Sequence, residues 1–248
     1  MRSFVLLLVA VFELTACQTT SIGGSDVQST WQDATVAIPD ALRGEECSGR
    51  ATTDCLQKLN PTTKLPVVVY IHGCSGPNPG VVTDFKNLGY VTIAPNSLAR
   101  ARRTVDCAVG SDKKGIMGLR FQEAAYAAKV LKGMAWVDQS KLILAGFSEG
   151  GVTAALYSGD EYAARVILGW TCTSADSWWG GIRGPSKTPV LSVVGSRDHY
   201  YQNKSNAGQC RVESRPKSKS VVLKGTGHEV VYLTETWAAV DEFLKSVI

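Results

Sequence analysis

The stretch from Lys141 to Leu156 constrains the fold more than any other part of the chain. A short apolar segment, KLILAG, runs straight into Gly146, Phe147, Ser148, Glu149 and Gly150, and an alanine-rich segment follows. A serine framed this way, strand before and helix after, is the G-x-S-x-G pattern of a sharp strand-to-helix turn that lifts a hydroxyl clear of a sheet. The backbone doubles back there, so a side chain at Gly146 or Gly150 would collide with the adjoining strand or helix, and Gly151 adds further room. The bland alternative is a glycine-rich turn with an idle serine. Partners elsewhere in the chain must decide between the two.

Apolar segments alternate with longer amphipathic ones throughout, the pattern of parallel strands joined by helices, which predicts an α/β fold. Strands are expected at Val67–Ile71, Tyr90–Ala94, Leu142–Gly146, Arg165–Trp170, Val190–Val194 and Ser220–Leu223, all short and rich in β-branched residues. Helices are expected over Leu119–Met134, where Ala124, Ala127, Ala128 and Leu131 share a face, and over Thr234–Val247, where Trp237, Val240, Phe243, Leu244 and Val247 do. Residues 27–60 read as an antiparallel edge followed by a loop. A chain of 248 residues, 44% hydrophobic and 19% charged, can bury a full core in one domain. A net charge of +4 without a basic cluster gives no reason to expect nucleic acid as a partner.

The chain has only 3 histidines, which narrows the choice of a base for Ser148. His228 stands in KGTGHE, after one predicted strand and before the last helix. Asp198 stands in VVGSRD, directly after another strand. All three residues fall at carboxyl ends of strands, where sites form in open α/β sheets. The chemistry explains the set: a serine hydroxyl is a poor nucleophile until an imidazole takes its proton, and the imidazolium needs an anion to orient and stabilise it. His199, next to Asp198, is the competing base and reads better as a rim residue. His72 opens the segment His72, Gly73, Cys74, Ser75, Gly76 after another strand; its expected role is to hold that loop. There the backbone N–H of Cys74, with that of Glu149, is expected to form an oxyanion hole.

The segments HGCSG, GFSEGG, SRD and GTGH, in that order, resemble the dienelactone hydrolase family of the α/β-hydrolase superfamily over roughly residues 65–248. The order Ser148, Asp198, His228 is that of α/β-hydrolases. The resemblance implies a mostly parallel eight-stranded sheet of order 1-2-4-3-5-6-7-8 with helices on both faces, and hydrolysis of an ester or lactone without cofactor. This chain departs from the family's namesakes in carrying Ser148 where they use cysteine, which brings it closer to the serine esterases and peptidases of the fold. Given that strand order, Cys74 and Cys107 leave neighbouring strands and Cys172 and Cys210 follow two further ones. Disulfides Cys74–Cys107 and Cys172–Cys210 are therefore expected, both bracing the cleft.

Residues 1–16 carry one arginine beside the amino terminus and an apolar run from Phe4 to Phe12, far below the roughly 20 residues that span a bilayer, and so read as an export signal. Leu14, Thr15, Ala16 and Cys17 resemble the lipobox of bacterial lipoproteins. That resemblance implies lipidation of Cys17; the polar segment QTTSIGGS after it reads as a tether over residues 17–25, ahead of the α/β-hydrolase domain expected over 26–248. By resemblance to lipoprotein sorting rules, Gln18 rather than an aspartate after the cysteine favours the outer membrane where the host has one. Without Cys17, six of the 7 cysteines remain, an even number suited to disulfides in an exported protein. Cys47 and Cys55 are expected to close a local loop. No cysteine or histidine spacing suggests a metal.

The stretch between Trp170 and Pro189 is too short for a helical lid, so the cleft is expected to be open. Trp178, Trp179, Tyr200 and Tyr201 are candidate pocket aromatics, although aromatics near strand ends are as often packing. Arg100, Arg102 and Arg103 either attract a substrate carboxylate or form a solvated basic loop. The leading expectation is a membrane-tethered serine hydrolase acting on a small or polymeric carboxylic ester. A serine peptidase on the same residues and a noncatalytic binding lipoprotein are the alternatives.

Overall fold

The computed structural model describes residues 22–42, 52–101, 103–107, 113–174, 177–199 and 209–248. Seven strands make one sheet: β1 (Thr35–Ala37), β2 (Leu65–Ile71), β3 (Val91–Ala94), β4 (Val137–Phe147), β5 (Ala164–Leu168), β6 (Val190–Gly195) and β7 (Lys219–Leu223). Their order is β1-β3-β2-β4-β5-β6-β7, with β1 antiparallel to β3 and every other pair parallel.

Consecutive apolar residues suit these strands because both faces of the sheet are covered. Side chains alternate across a strand. Val67, Val69 and Ile71 therefore join Leu142, Leu144 and Ile167 in one core layer, while Val68 and Tyr70 join Ile143, Ala145, Val166 and Leu168 in the other. The first layer is closed by helices α1 (Ile22–Gln32), α2 (Thr53–Lys58), α4 (Lys113–Lys132) and α5 (Glu149–Leu156), through Trp31, Leu56, Ala124, Leu131 and Ala154 among others. The second is closed by α3 (Pro79–Asn87) and the carboxyl-terminal helix α6 (Thr234–Val247), through Val81, Phe85, Val240, Phe243 and Leu244. Helix α3 starts where the Asn78 side chain accepts from the N–H of Gly80 at 3.0 Å and Pro79 takes the first helical position.

Two expectations differ from the structure. The described residues supply seven strands rather than eight, in the expected order less its first strand, and the described residues ahead of β1 form a helix, Ile22–Gln32. That helix begins at Ile22, inside the stretch read as tether. Among the described residues no helix is long and apolar enough to cross a membrane.

Two disulfides join the expected partners, Cys74 to Cys107 and Cys172 to Cys210, with Cα atoms 5.2 and 4.7 Å apart. Cys55 is disulfide-bonded, and Cys47, its expected partner, lies outside the described residues. So do Cys17 and the export signal.

Candidate active site

Ser148 sits between the end of β4 and the first residue of α5 with φ 55° and ψ −115°, the left-handed side of backbone space that a non-glycine residue adopts only under constraint. Its own N–H donates to Leu168 O at 2.9 Å, and its carbonyl accepts from Val152 N at 2.9 Å. The glycines around it make the turn physically possible. A Cβ on Gly146 would run into the carbonyl of Gly150, one on Gly150 into the carbonyl of Ile71, and one on Gly151 would lie 2.6 Å from Leu168 O.

Asp198 and His228 come from the loops after β6 and β7, and hydrogen bonds stitch those loops together. Ser196 N donates to Leu223 O at 2.9 Å, Arg197 N to Thr226 O at 2.7 Å, and Gly225 N to Ser196 Oγ at 2.8 Å. The consequence is a continuous chain of contacts. His228 Nδ1 lies 2.6 Å from Asp198 Oδ2, and His228 Nε2 lies 2.9 Å from Ser148 Oγ. The Asp198 carboxylate is fully buried while the His228 ring keeps 16% of its surface exposed. The Phe147 ring packs against that imidazole, centroids 5.1 Å apart. His199, 58% exposed, stands 3.8 Å from Asp198 Oδ1, its ring centroid 5.1 Å from that of His228. Ligand-capable atoms of Asp198, His199 and His228 fall within 4.8 Å of one another, but the Asp198–His228 hydrogen bond already joins two of the three.

The loop after β2 lies across from the serine, since a Cβ on Gly73 would be 3.5 Å from Ser148 Cβ. His72 holds this loop from within. Its Nδ1 lies 2.6 Å from Gly73 O, and its Nε2 accepts from Ser97 N at 3.0 Å. Burial first, and then the Arg120 guanidinium, keep its pKa well below the usual 6.5, so the ring is neutral. Cys74 follows Gly73 directly. Glu149 opens α5, where a backbone N–H has no intrahelical acceptor.

Arg100, expected either to meet a substrate carboxylate or to stand in solvent, does neither. It is buried, with Nε 3.1 Å from Glu123 Oε1 and Nη1 2.6 Å from Asp26 Oδ2. Arg103 is likewise buried, with Nη2 2.6 Å from Glu149 Oε1. Arg120 completes the network at 2.7 Å from Glu123 Oε2 and 3.5 Å from Glu149 Oε1, and donates to the His72 carbonyl. The sequence held one signal of it. Arg120 and Glu123 fall on the same side of α4 as Ala124 and Ala127, a face otherwise reserved for the core.

Trp178 and Trp179 are half-buried, stacked edge to face at 4.5 Å and packed on the core layer of α4, with the Arg183 guanidinium over Trp178. Among the described residues between β5 and β6 there is no helix or strand. Tyr200, Tyr201 and Arg102 lie outside the described residues. An open cavity of about 600 Å³ flanks the Cys172–Cys210 disulfide, lined by Thr173, Ser174, Ile182, Arg211 and Glu213 among others.

This sheet order, with its sharp strand-to-helix turn after the central strand β4, is that of an α/β-hydrolase fold. The solved structures similar to it carry the same architecture. They include an acetyl xylan esterase from Paenibacillus sp. R4 (TM-score 0.57, 14% identity, 77% of this chain and 78% of that one). A putative dienelactone hydrolase from Klebsiella pneumoniae subsp. pneumoniae MGH 78578 gives TM-score 0.53 at 15% identity over 75% and 89% of the two chains. The dienelactone hydrolase-like promiscuous phosphotriesterase P91 from metagenomic libraries gives 0.52 at 17% over 75% and 88%. No protein-family model and no curated protein sequence matches the chain.

Proposed function

We propose that the protein is a serine hydrolase that cleaves a carboxylic ester through an acyl-enzyme. The observation that carries this reading is the unbroken contact chain Ser148 Oγ, His228, Asp198 at 2.9 and 2.6 Å. In this account His228 Nε2 takes the Ser148 proton as Oγ bonds to the carbonyl carbon, and Asp198 stabilises the imidazolium through Nδ1. The carbonyl oxygen, now negative, is received by the N–H groups of Cys74 and Glu149, each donor being worth about 3 kcal/mol. The intermediate collapses, the C–O bond to the alcohol breaks, and His228 returns the proton to the leaving oxygen. Water then repeats the sequence against the acyl-enzyme, frees the acid and restores Ser148.

The fold likeness to esterases and a dienelactone hydrolase supports an ester or lactone as substrate. Assay of the purified protein on matched p-nitrophenyl ester and p-nitroanilide substrates tests the reading. Ester hydrolysis that Ser148→Ala abolishes is expected. Amide cleavage of similar efficiency would turn the reading to a peptidase, and no turnover of either to a binding protein.

The same proposal places the protein outside the cytoplasm, held on a membrane by acyl chains on Cys17. The Cys74–Cys107 and Cys172–Cys210 disulfides support an oxidising compartment. Metabolic labelling with a fatty acid is expected to mark the parent protein and not Cys17→Ser; equal labelling of both would refute the anchor.

A further inference from the structure

Both residues assigned above as oxyanion donors are gripped by one short piece of chain, residues 103–107. Cys107, at one end, is disulfide-bonded to Cys74. Arg103, at the other, reaches the Glu149 carboxylate at 2.6 Å, the two side chains being only 3% and 7% exposed. The segment is itself fixed at its base, because Arg103 N donates to Arg100 O at 3.0 Å and Arg100 is tied to Glu123 at 3.1 Å. Between these ends Thr104 and Val105 are exposed and contribute nothing to the core.

An ion pair this deeply buried is a poor source of fold stability, since desolvation consumes most of the attraction. What it does supply is position. The His72 contacts hold the loop up to the Gly73 carbonyl; Cys74 itself lies beyond them, outside any strand or helix, between Gly73 and a Gly76 at φ +106°. An oxyanion hole works only when its donors are already 2.7–3.1 Å from where the charge develops. We propose that residues 103–107 form a strap that sets both donors, with Cys107 acting through Cys74 and Arg103 through Glu149 as positioning residues. This inference rests on the serine hydrolase reading.

The test compares Arg103→Ala, Arg103→Lys, Glu149→Gln and the double variant Cys74→Ser/Cys107→Ser with the parent. The substrate is p-nitrophenyl acetate, and phenylboronic acid serves as the probe that places an oxygen in the hole. Loosening a donor is expected to lower kcat by on the order of tenfold or more, within the 10²–10³ lost when a donor is removed outright. KM stays within about threefold of the parent, because the contacts are made in the transition state. The boronic acid inhibition constant weakens in step with kcat, the shape of the pH–rate profile is unchanged, and Arg103→Lys recovers most of the loss. Thermal melting checks folding; should Arg103→Ala or the double variant not fold, the near-isosteric Glu149→Gln carries the test alone.

Folded variants with parental kcat, or with a loss confined to KM, overturn the strap while leaving Ser148 as nucleophile. A parent protein that neither hydrolyses the ester nor binds the boronic acid overturns the hydrolase reading and the strap with it.

Discussion

Gly169 lies against His228 so closely that a Cβ on it would stand 3.2 Å from the imidazole Cε1 and 2.8 Å from Phe147 Cε2, at a backbone φ of +64°. Gly169, directly after β5, thus leaves no room for a side chain beside the His228 imidazole. Gly169→Ala is expected to cost about 1–2 kcal/mol of stability from the left-handed backbone. It should also lower kcat by on the order of tenfold, by pushing the Phe147 and His228 rings off their present line. Steady-state kinetics with a urea melt checks both. Unchanged kcat in a variant that is merely less stable would show that the position of the His228 ring has slack.

His72 gives the fold a dependence on pH. Its folded-state pKa is depressed by burial and by Arg120, so below its unfolded value near 6.5 the unfolded chain binds more protons than the native one. Its contribution is complete above that value, and stability falls as the pH is lowered from there, by up to roughly 1.4 kcal/mol per pH unit from this group alone. Urea unfolding of the parent and of His72→Asn between pH 7 and pH 5 measures it, the shallower slope being expected for the variant. Parallel slopes would mean that the ring is protonated in the native state.

Within the buried network, Glu123 faces Arg120 at 2.7 Å and Arg100 at 3.1 Å, its own side chain fully buried. Glu123→Leu strands Arg120 without that carboxylate and is expected to cost about 3–5 kcal/mol. Pairing it with Arg120→Met restores apolar packing, and the double variant is expected to lose less than Glu123→Leu alone. A denaturant midpoint series over the three variants tests this; a double variant losing the sum of the single losses would show the two sites to be independent.

Legibility of the structure in the sequence followed the physics of each element. The carboxyl-terminal helix occupies Thr234–Val247 as its apolar spacing predicts, and β2 and β6 lie where their β-branched runs do. Ser148, Asp198 and His228 were findable because a serine among glycines and a pool of three histidines leave few assignments, and the loops bring them together. The helix Ile22–Gln32 was not legible. Its sequence, IGGSDVQSTWQ, has two glycines and weak amphipathicity, and tertiary contacts hold it: Trp31 stacks on Tyr126 at 6.5 Å, and the Thr30 carbonyl accepts from Asn96 N at 2.8 Å. Arg100 was misread for a related reason. In the run Ala99 to Arg103 it looks like a solvated cation, and its partners Asp26 and Glu123 are distant in the chain.

The nucleophilic role of Ser148 is tested most directly by exposing the native protein to a fluorophosphonate and mapping the adduct by mass spectrometry. The account predicts one covalent phosphonyl group per chain, on Ser148 Oγ, and loss of that label in His228→Ala because the hydroxyl then has no base at 2.9 Å. Absence of label on Ser148 in the folded parent, or labelling that persists undiminished without His228, would contradict it.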